Sequence, residues 1–119
     1  MHNLKVVGIG TDIMEITRFR RKPLKRNNMT FYNSIFSESE LKYCNKYVDP
    51  YPHLAGIFAA KEAVIKCSEA RLGMKDIEVI QGKYNKPNVI IRRGKKNIDV
   101  KVSISHNRSI AIAIAILMS

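Results

Sequence analysis

The chain has no tryptophan, only two cysteines among 119 residues, and ten acidic residues against 21 lysines and arginines. Each shortage excludes something. Cys44 and Cys67 form no CxxC pair and cannot make a disulfide framework, which points to a reducing, cytosol-like compartment. His2, His53 and His106 lie far apart, so no local ligand pair for zinc exists. The longest strongly apolar run, Ile110 to Met118, is nine residues, well short of the roughly 20 that cross a bilayer. The start, Met1-His2-Asn3-Leu4-Lys5-Val6-Val7, has no signal-peptide core, and no membrane partner is expected. The scarcity of acid leaves a formal charge of +11. That excess favours anionic partners such as phosphorylated metabolites, nucleic acid or an acidic protein. Hydrophobic residues make up 45%, enough to build a core and to exclude a disordered chain. The length suits a single domain over residues 1–119.

Leu4 to Gly10 is β-branched and short, which predicts a strand that the glycines end, with Thr11-Asp12 leaving it. Residues 17–28 hold six basic side chains and no acid, split by Pro23 as the first turn of a short helix. Ser37-Glu38-Ser39-Glu40 is a capping box and predicts a helix to about Tyr47, stopped by Pro50 and Pro52. A longer helix follows from about His53 to Leu72, with Gly73 as its stop. The period then changes. Strands are expected over 76–81, 88–93, 98–105 and 110–116, joined by turns at 82–87, 94–97 and 106–109. The last strand alternates isoleucine with alanine, so both faces are expected to be buried, the alanine face against a close neighbour. The class is α+β: helices mostly early, an antiparallel meander late.

The helix from His53 carries the chemistry. Leu54, Ile57, Phe58, Val64 and Ile65 form one stripe at helical spacing, and alanines fill much of the remainder. Such a helix is buried, and charges on it are costly unless they are paired or bind something. Lys61 projects near the middle of the stripe, with Glu62 and Lys66 at its edge. Two readings stay open: an i,i+4 Glu62–Lys66 pair with Lys61 snorkelling to solvent, or a phosphate or metal site at a junction between molecules. Asp12 likewise caps the next helix or, with a helix glutamate, holds a hard divalent cation. Two carboxylates leave positions on Mg²⁺ open for waters and phosphates, and nearby lysines neutralise more phosphate charge. That combination suits phosphoryl-type transfer, which needs positioning and charge neutralisation. Gly8-Ile9-Gly10 is no dinucleotide fingerprint and there is no P-loop. Ser105 and His106 are strand neighbours pointing to opposite faces, a poor nucleophile–base pair. His106 is either a solvated turn residue or a contact to a phosphate or base.

Gly8-Ile9-Gly10-Thr11-Asp12-Ile13-Met14-Glu15-Ile16-x-Arg18 resembles the opening motif of the holo-[acyl-carrier-protein] synthases, a branch of the 4′-phosphopantetheinyl transferases. Ile35-Phe36-Ser37-Glu38-x-Glu40-Leu41 and Leu54-Ala55-Gly56-Ile57-Phe58-Ala59-Ala60-Lys61-Glu62-Ala63-Val64-Ile65-Lys66 resemble its next segments. Asn85-Lys86-Pro87 and Val102-Ser103-Ile104-Ser105-His106 follow in the same order. The resemblance implies the family's α+β fold, an antiparallel sheet packed on a long helix. It implies transfer of the 4′-phosphopantetheine arm of coenzyme A to a serine of an acidic acyl carrier protein, releasing adenosine 3′,5′-bisphosphate. Asp12 and Glu62 would hold Mg²⁺, and Lys66 would stabilise the departing phosphates. Glu62 would also help deprotonate the serine, directly or through a metal-ordered water. Lys61 and His106 would contact coenzyme A, and Arg18 with its basic neighbours would receive the carrier. A cytoplasmic homotrimer with sites at subunit junctions is implied as well. The family commonly has arginine where this chain has Ile57, and a glycine-rich turn where it has Cys67 to Gly73. The alternatives are an inactive family member and a non-catalytic basic nucleic-acid-binding module. The second is disfavoured by sparse aromatics and the lack of a recognised nucleic-acid motif.

Overall fold

A computed structural model describes residues 5–93 and 99–119; the turn expected at 94–97 lies outside the described residues. Strand β1 (Val6–Glu15) leads into three short helices, α1 (Thr17–Arg20), α2 (Met29–Ile35) and α3 (Glu38–Cys44), and then the long α4 (Tyr51–Cys67). Strands β2 (Ile77–Gln81), β3 (Pro87–Ile91), β4 (Asp99–His106) and β5 (Ile110–Met118) follow. The class is α+β, as read from the sequence. The late strands do not make one meander: β2 and β3 pair in a two-stranded ribbon of their own, while β5 lies between β4 and the distant β1. All pairs are antiparallel.

The glycines of β1 explain that arrangement. They do not end the strand; they lie within it, and β1 continues to Glu15. A Cβ on Gly8 would sit 2.3 Å from the Cys67 carbonyl oxygen, and one on Gly10 only 2.1 Å from that of Ala63. Strand and helix therefore approach to backbone contact. The alanine face of β5 extends the same small-residue surface, with Ala111, Ala113 and Ala115 all buried. On the β4 side, a Cβ on Gly56 would meet Ile104 Cγ2 at 2.9 Å. The other sheet face is open, which corrects the expectation that β5 is buried on both sides. Ile112 and Ile114 are 46% and 40% exposed. Opposite them in register, Ile13 pairs with Ile112 and Thr11 with Ile114, and Ile13 is 63% exposed.

The short helices pack an aromatic cluster onto the first half of α4. Phe19 lies 5.6 Å from Phe58, 6.0 Å from Phe36 and 6.2 Å from Tyr32, ring centre to ring centre. Pro23 does not begin a helix; it follows the end of α1, and a 3₁₀ turn forms only at Arg26–Asn28. The capping box at Ser37 forms as expected, Glu40 N–H donating to Ser37 Oγ at 3.2 Å and Ser37 N–H to Glu40 Oε1 at 2.8 Å. Helix α3 stops at Cys44 rather than Tyr47, and α4 at Cys67 rather than Leu72, where Ser68 turns extended.

Candidate active site at the edge of β1

Gly8 meets Cys67 and Gly10 meets Ala63. Two strand residues rise about 6.7 Å while four helix residues rise about 6 Å, so the two elements stay in step. Continuing the register, Asp12 comes opposite Ala59, at one end of the turn that carries Glu62. Asp12 is thus a mid-strand residue at the sheet edge, not a helix cap. Lys66 reaches over that edge. Its Nζ donates to Asp12 Oδ1 at 3.0 Å and to the Thr11 carbonyl at 2.9 Å. Among the described residues Lys66 pairs with Asp12 and not, as the i,i+4 reading had it, with Glu62.

The pair is unequal. The Lys66 side chain is 52% exposed, that of Asp12 only 13%. Asp12 Oδ2 is buried with no hydrogen-bond partner. A buried carboxylate oxygen without a partner costs about 1–3 kcal/mol or more, so the Asp12 carboxylate suits a cation or a hydrogen-bond donor. A cleft of about 520 Å³ opens beside it, lined by Thr11, Asp12, Lys66, Ser103, Ser105 and Ile114 among others. Among the described residues no three His, Cys, Asp or Glu side chains gather as a self-sufficient metal cluster. Carboxylate oxygens such as those of Asp12 and Glu62 are the donor type that suits an ion keeping waters and recruiting phosphate oxygens, which is the habit of Mg²⁺.

Lys61 is where the structure departs most from the sequence reading. It neither snorkels nor reaches a solvent-facing phosphate, because its exposure is 0%. Its Nζ lies 2.6 Å from Glu40 Oε1 and donates to the Ile35 carbonyl at 2.7 Å. Burial pulls the Lys61 ammonium below the ordinary lysine value while Glu40 opposes that shift. Glu40 is the residue that sequence reasoning undervalued. Besides capping α3 and pairing with Lys61, it accepts from the Val79 backbone N–H at 2.7 Å, so one carboxylate joins α3, α4 and β2. The signal was available: a cation on an all-apolar helix requires a buried counter-charge. Ile57 is core, 2% exposed.

His106 ends β4, exposed, its ring 5.5 Å from that of His53 in the first turn of α4. Tyr47 stacks on His53 at 3.5 Å. Burial, and then the neighbouring His106, hold the His53 imidazole below its usual pKa. His53 and Glu62 are nine residues apart, about 13 Å along the helix axis, and β5 separates β4 from β1. The histidine pair thus lies at the start of α4 beside β4, and the Asp12–Lys66 pair farther along α4 beside β1, at the opposite edge of the sheet. Arg18 lies over the Phe58 ring at 5.3 Å and, with Arg21, borders a second cleft of about 430 Å³ beside Ile13 and Glu15. Arg20 is spent on a bidentate pair with Asp49, at 3.0 and 2.7 Å.

Residues 8–115 match the family model of the 4′-phosphopantetheinyl transferase superfamily. The chain belongs to that superfamily. Within it, its relatives are holo-[acyl-carrier-protein] synthases. That of Caldanaerobacter subterraneus is 38% identical over 91% of both chains, and that of Clostridium tetani 38% identical over 94% of this chain and 95% of the relative. Among solved structures, the holo-(acyl-carrier-protein) synthase of Bacillus anthracis, in complex with coenzyme A (3′,5′-ADP), superposes with a TM-score of 0.81 at 31% identity, covering 96% of this chain and 97% of the other. The Helicobacter pylori synthase in complex with coenzyme A gives 0.78 at 32% identity over 92% and 98%. The chain is thus similar, nearly end to end, to enzymes of this branch.

Proposed function

We propose that this chain moves the 4′-phosphopantetheine arm of coenzyme A to a serine hydroxyl of an apo acyl carrier protein in a Mg²⁺-dependent reaction. The observation that carries the reading is the buried, unpartnered Asp12 oxygen beside Lys66, on a strand held in step with the Glu62 turn. Asp12 and Glu62 are the residues that would hold Mg²⁺, whose role when bound is to neutralise pyrophosphate charge. Glu62 accepts the serine proton, directly or through an ordered water. The serine oxygen forms a bond to the phosphorus of the arm, the pyrophosphate P–O bond breaks, and adenosine 3′,5′-bisphosphate leaves with its charge met by Lys66. Lys61 has no place in this scheme, since its ammonium is committed to Glu40.

His106 is assigned to the phosphates of coenzyme A and Arg18 to the acidic carrier. Because the histidine and aspartate ends of the site lie apart within one protomer, they serve one cofactor best across a subunit junction. The exposed isoleucines of β1 and β5 supply an apolar face for that contact, which supports a homotrimer. Among the described residues no helix is long and apolar enough to cross a membrane, in keeping with the cytoplasmic, single-domain enzyme inferred here. The charge of +11 suits both polyanionic reactants, with attraction that weakens as salt rises.

The test is direct. The protein is incubated with coenzyme A, Mg²⁺ and a panel of apo carriers, and the carrier is weighed by mass spectrometry. A gain of one phosphopantetheine is expected, lost in Glu62→Gln with the fold retained. Coenzyme A binding with no gain on any carrier would instead identify an inactive family member.

A further inference from the structure

We infer that Lys66 and the divalent cation compete for the same oxygen of Asp12, so that the free enzyme is held closed to metal by its own lysine. This rests on the Mg²⁺ reading above. The two oxygens of Asp12 are not equivalent. Oδ2 is buried and partnerless, so a hydrated cation engages this carboxylate either at Oδ1 or by turning it to bring Oδ2 out, and both moves displace Lys66 from Oδ1. Oδ1 takes the Lys66 ammonium at 3.0 Å. The same ammonium is anchored a second time, at 2.9 Å, on the Thr11 carbonyl, so it is seated at that position rather than passing near it. Mg²⁺ gives up its waters reluctantly and approaches a carboxylate from the solvent side; here that side is already occupied by a unit positive charge.

Two cations crowded onto one carboxylate oxygen repel, so metal loading and lysine release become one event. The released lysine has a destination in the reaction: the pyrophosphate of coenzyme A would offer it fresh anionic oxygens. Metal and cofactor therefore enter cooperatively, each weak without the other. Lys66 is well suited to such a role because its side chain is half exposed and its exposed ion pair is weak.

The experiment uses Mn²⁺ and Mg²⁺ alone, without cofactor or carrier. Mn²⁺ affinity is titrated by electron paramagnetic resonance on the wild type, Lys66→Met and Lys66→Arg. Lys66→Met is expected to bind about fivefold tighter, the scale set by an exposed ion pair, and Lys66→Arg no tighter than the wild type. A lysine whose positive charge acted only at a distance would give the same pattern. The side-chain ¹⁵Nζ signal of Lys66 is therefore followed during Mg²⁺ titration of the wild type. Loss of its Asp12 contact as the ion binds supports competition. A Lys66→Met that binds Mn²⁺ no tighter, or a Lys66 that keeps Asp12 with Mg²⁺ saturating, overturns it. Neither readout needs transfer activity, so failure of the transferase reading leaves this outcome legible.

Discussion

Lys61 and Lys66 stand five residues apart on α4 and face two different worlds. Lys61 points at α2 and α3, is fully buried, and meets a carboxylate already tied to two backbone N–H groups. Lys66 points at the edge of β1, is half exposed, and meets a carboxylate that keeps one oxygen unpartnered. The residue type is the same; what differs is how completely the partner is satisfied. A carboxylate with every oxygen engaged and buried from solvent is structural. One left short at a cleft is available to a ligand. The difference separates a fixed joint from a working site on one helix.

The strongest way to break the comparison is to remove the buried cation. Lys61→Met leaves Glu40 charged, buried and short of its partner, and should cost about 3–5 kcal/mol of stability, read from urea denaturation. Adding Glu40→Gln to it, which removes the stranded charge and keeps one acceptor oxygen for either the Ser37 or the Val79 N–H, should recover part of that loss. If Lys61→Met unfolds at the wild-type midpoint, the pair is not the joint described here.

Next in size is Gly10→Ala. The new methyl would lie 2.1 Å from a backbone oxygen that cannot swing away, so α4 must retreat from β1, at about 1–3 kcal/mol. The same retreat withdraws the Glu62 turn from Asp12, so transfer should fall by more than the stability loss explains. Activity measured well below the melting temperature separates the two. Full turnover in a destabilised Gly10→Ala protein would show that the strand–helix register does not set the site.

That glycine also marks where sequence reading fell short. Local rules treat Gly8 and Gly10 as punctuation, and they correctly signal something unusual. Whether a glycine ends a strand or admits a helix depends on what packs against it, and α4 arrives from more than fifty residues away. The same applies to β5. Its alanine face was legible because small residues in alternation imply a close neighbour. Its isoleucine face was misread because alternation alone does not show whether anything covers a face, and among the described residues nothing covers Ile112 and Ile114. The capping box at Ser37, the α+β class and the long helix were legible because each rests on residues adjacent in sequence. The roles of Lys61 and Glu40 were not, since the second capping-box oxygen looks uncommitted until β2 and α4 are in place.

The smallest expected effect comes from a third ion pair, which sharpens the contrast by sharing features of both. Glu78 accepts from Ser39 Oγ at 2.5 Å and pairs with Arg92. Its carboxylate is mostly covered, 13% exposed, while Arg92 is 59% exposed and screened by solvent. The Ser39 hydroxyl and then the Arg92 guanidinium hold the Glu78 pKa at about 2, below the ordinary value of 4.5. Between those values the unfolded chain binds a proton that the folded chain refuses, so stability falls as pH falls. The contribution is complete above about pH 4.5 and is lost on descending towards pH 2. Glu78→Gln should therefore change stability modestly at neutral pH and flatten the acid limb of the unfolding curve across that window, without moving transfer activity. An unchanged acid limb would mean that Arg92 is spent on solvent rather than on Glu78. In that case full satisfaction of the carboxylate, rather than its burial alone, is what separates the Glu40 joint from the other pairs.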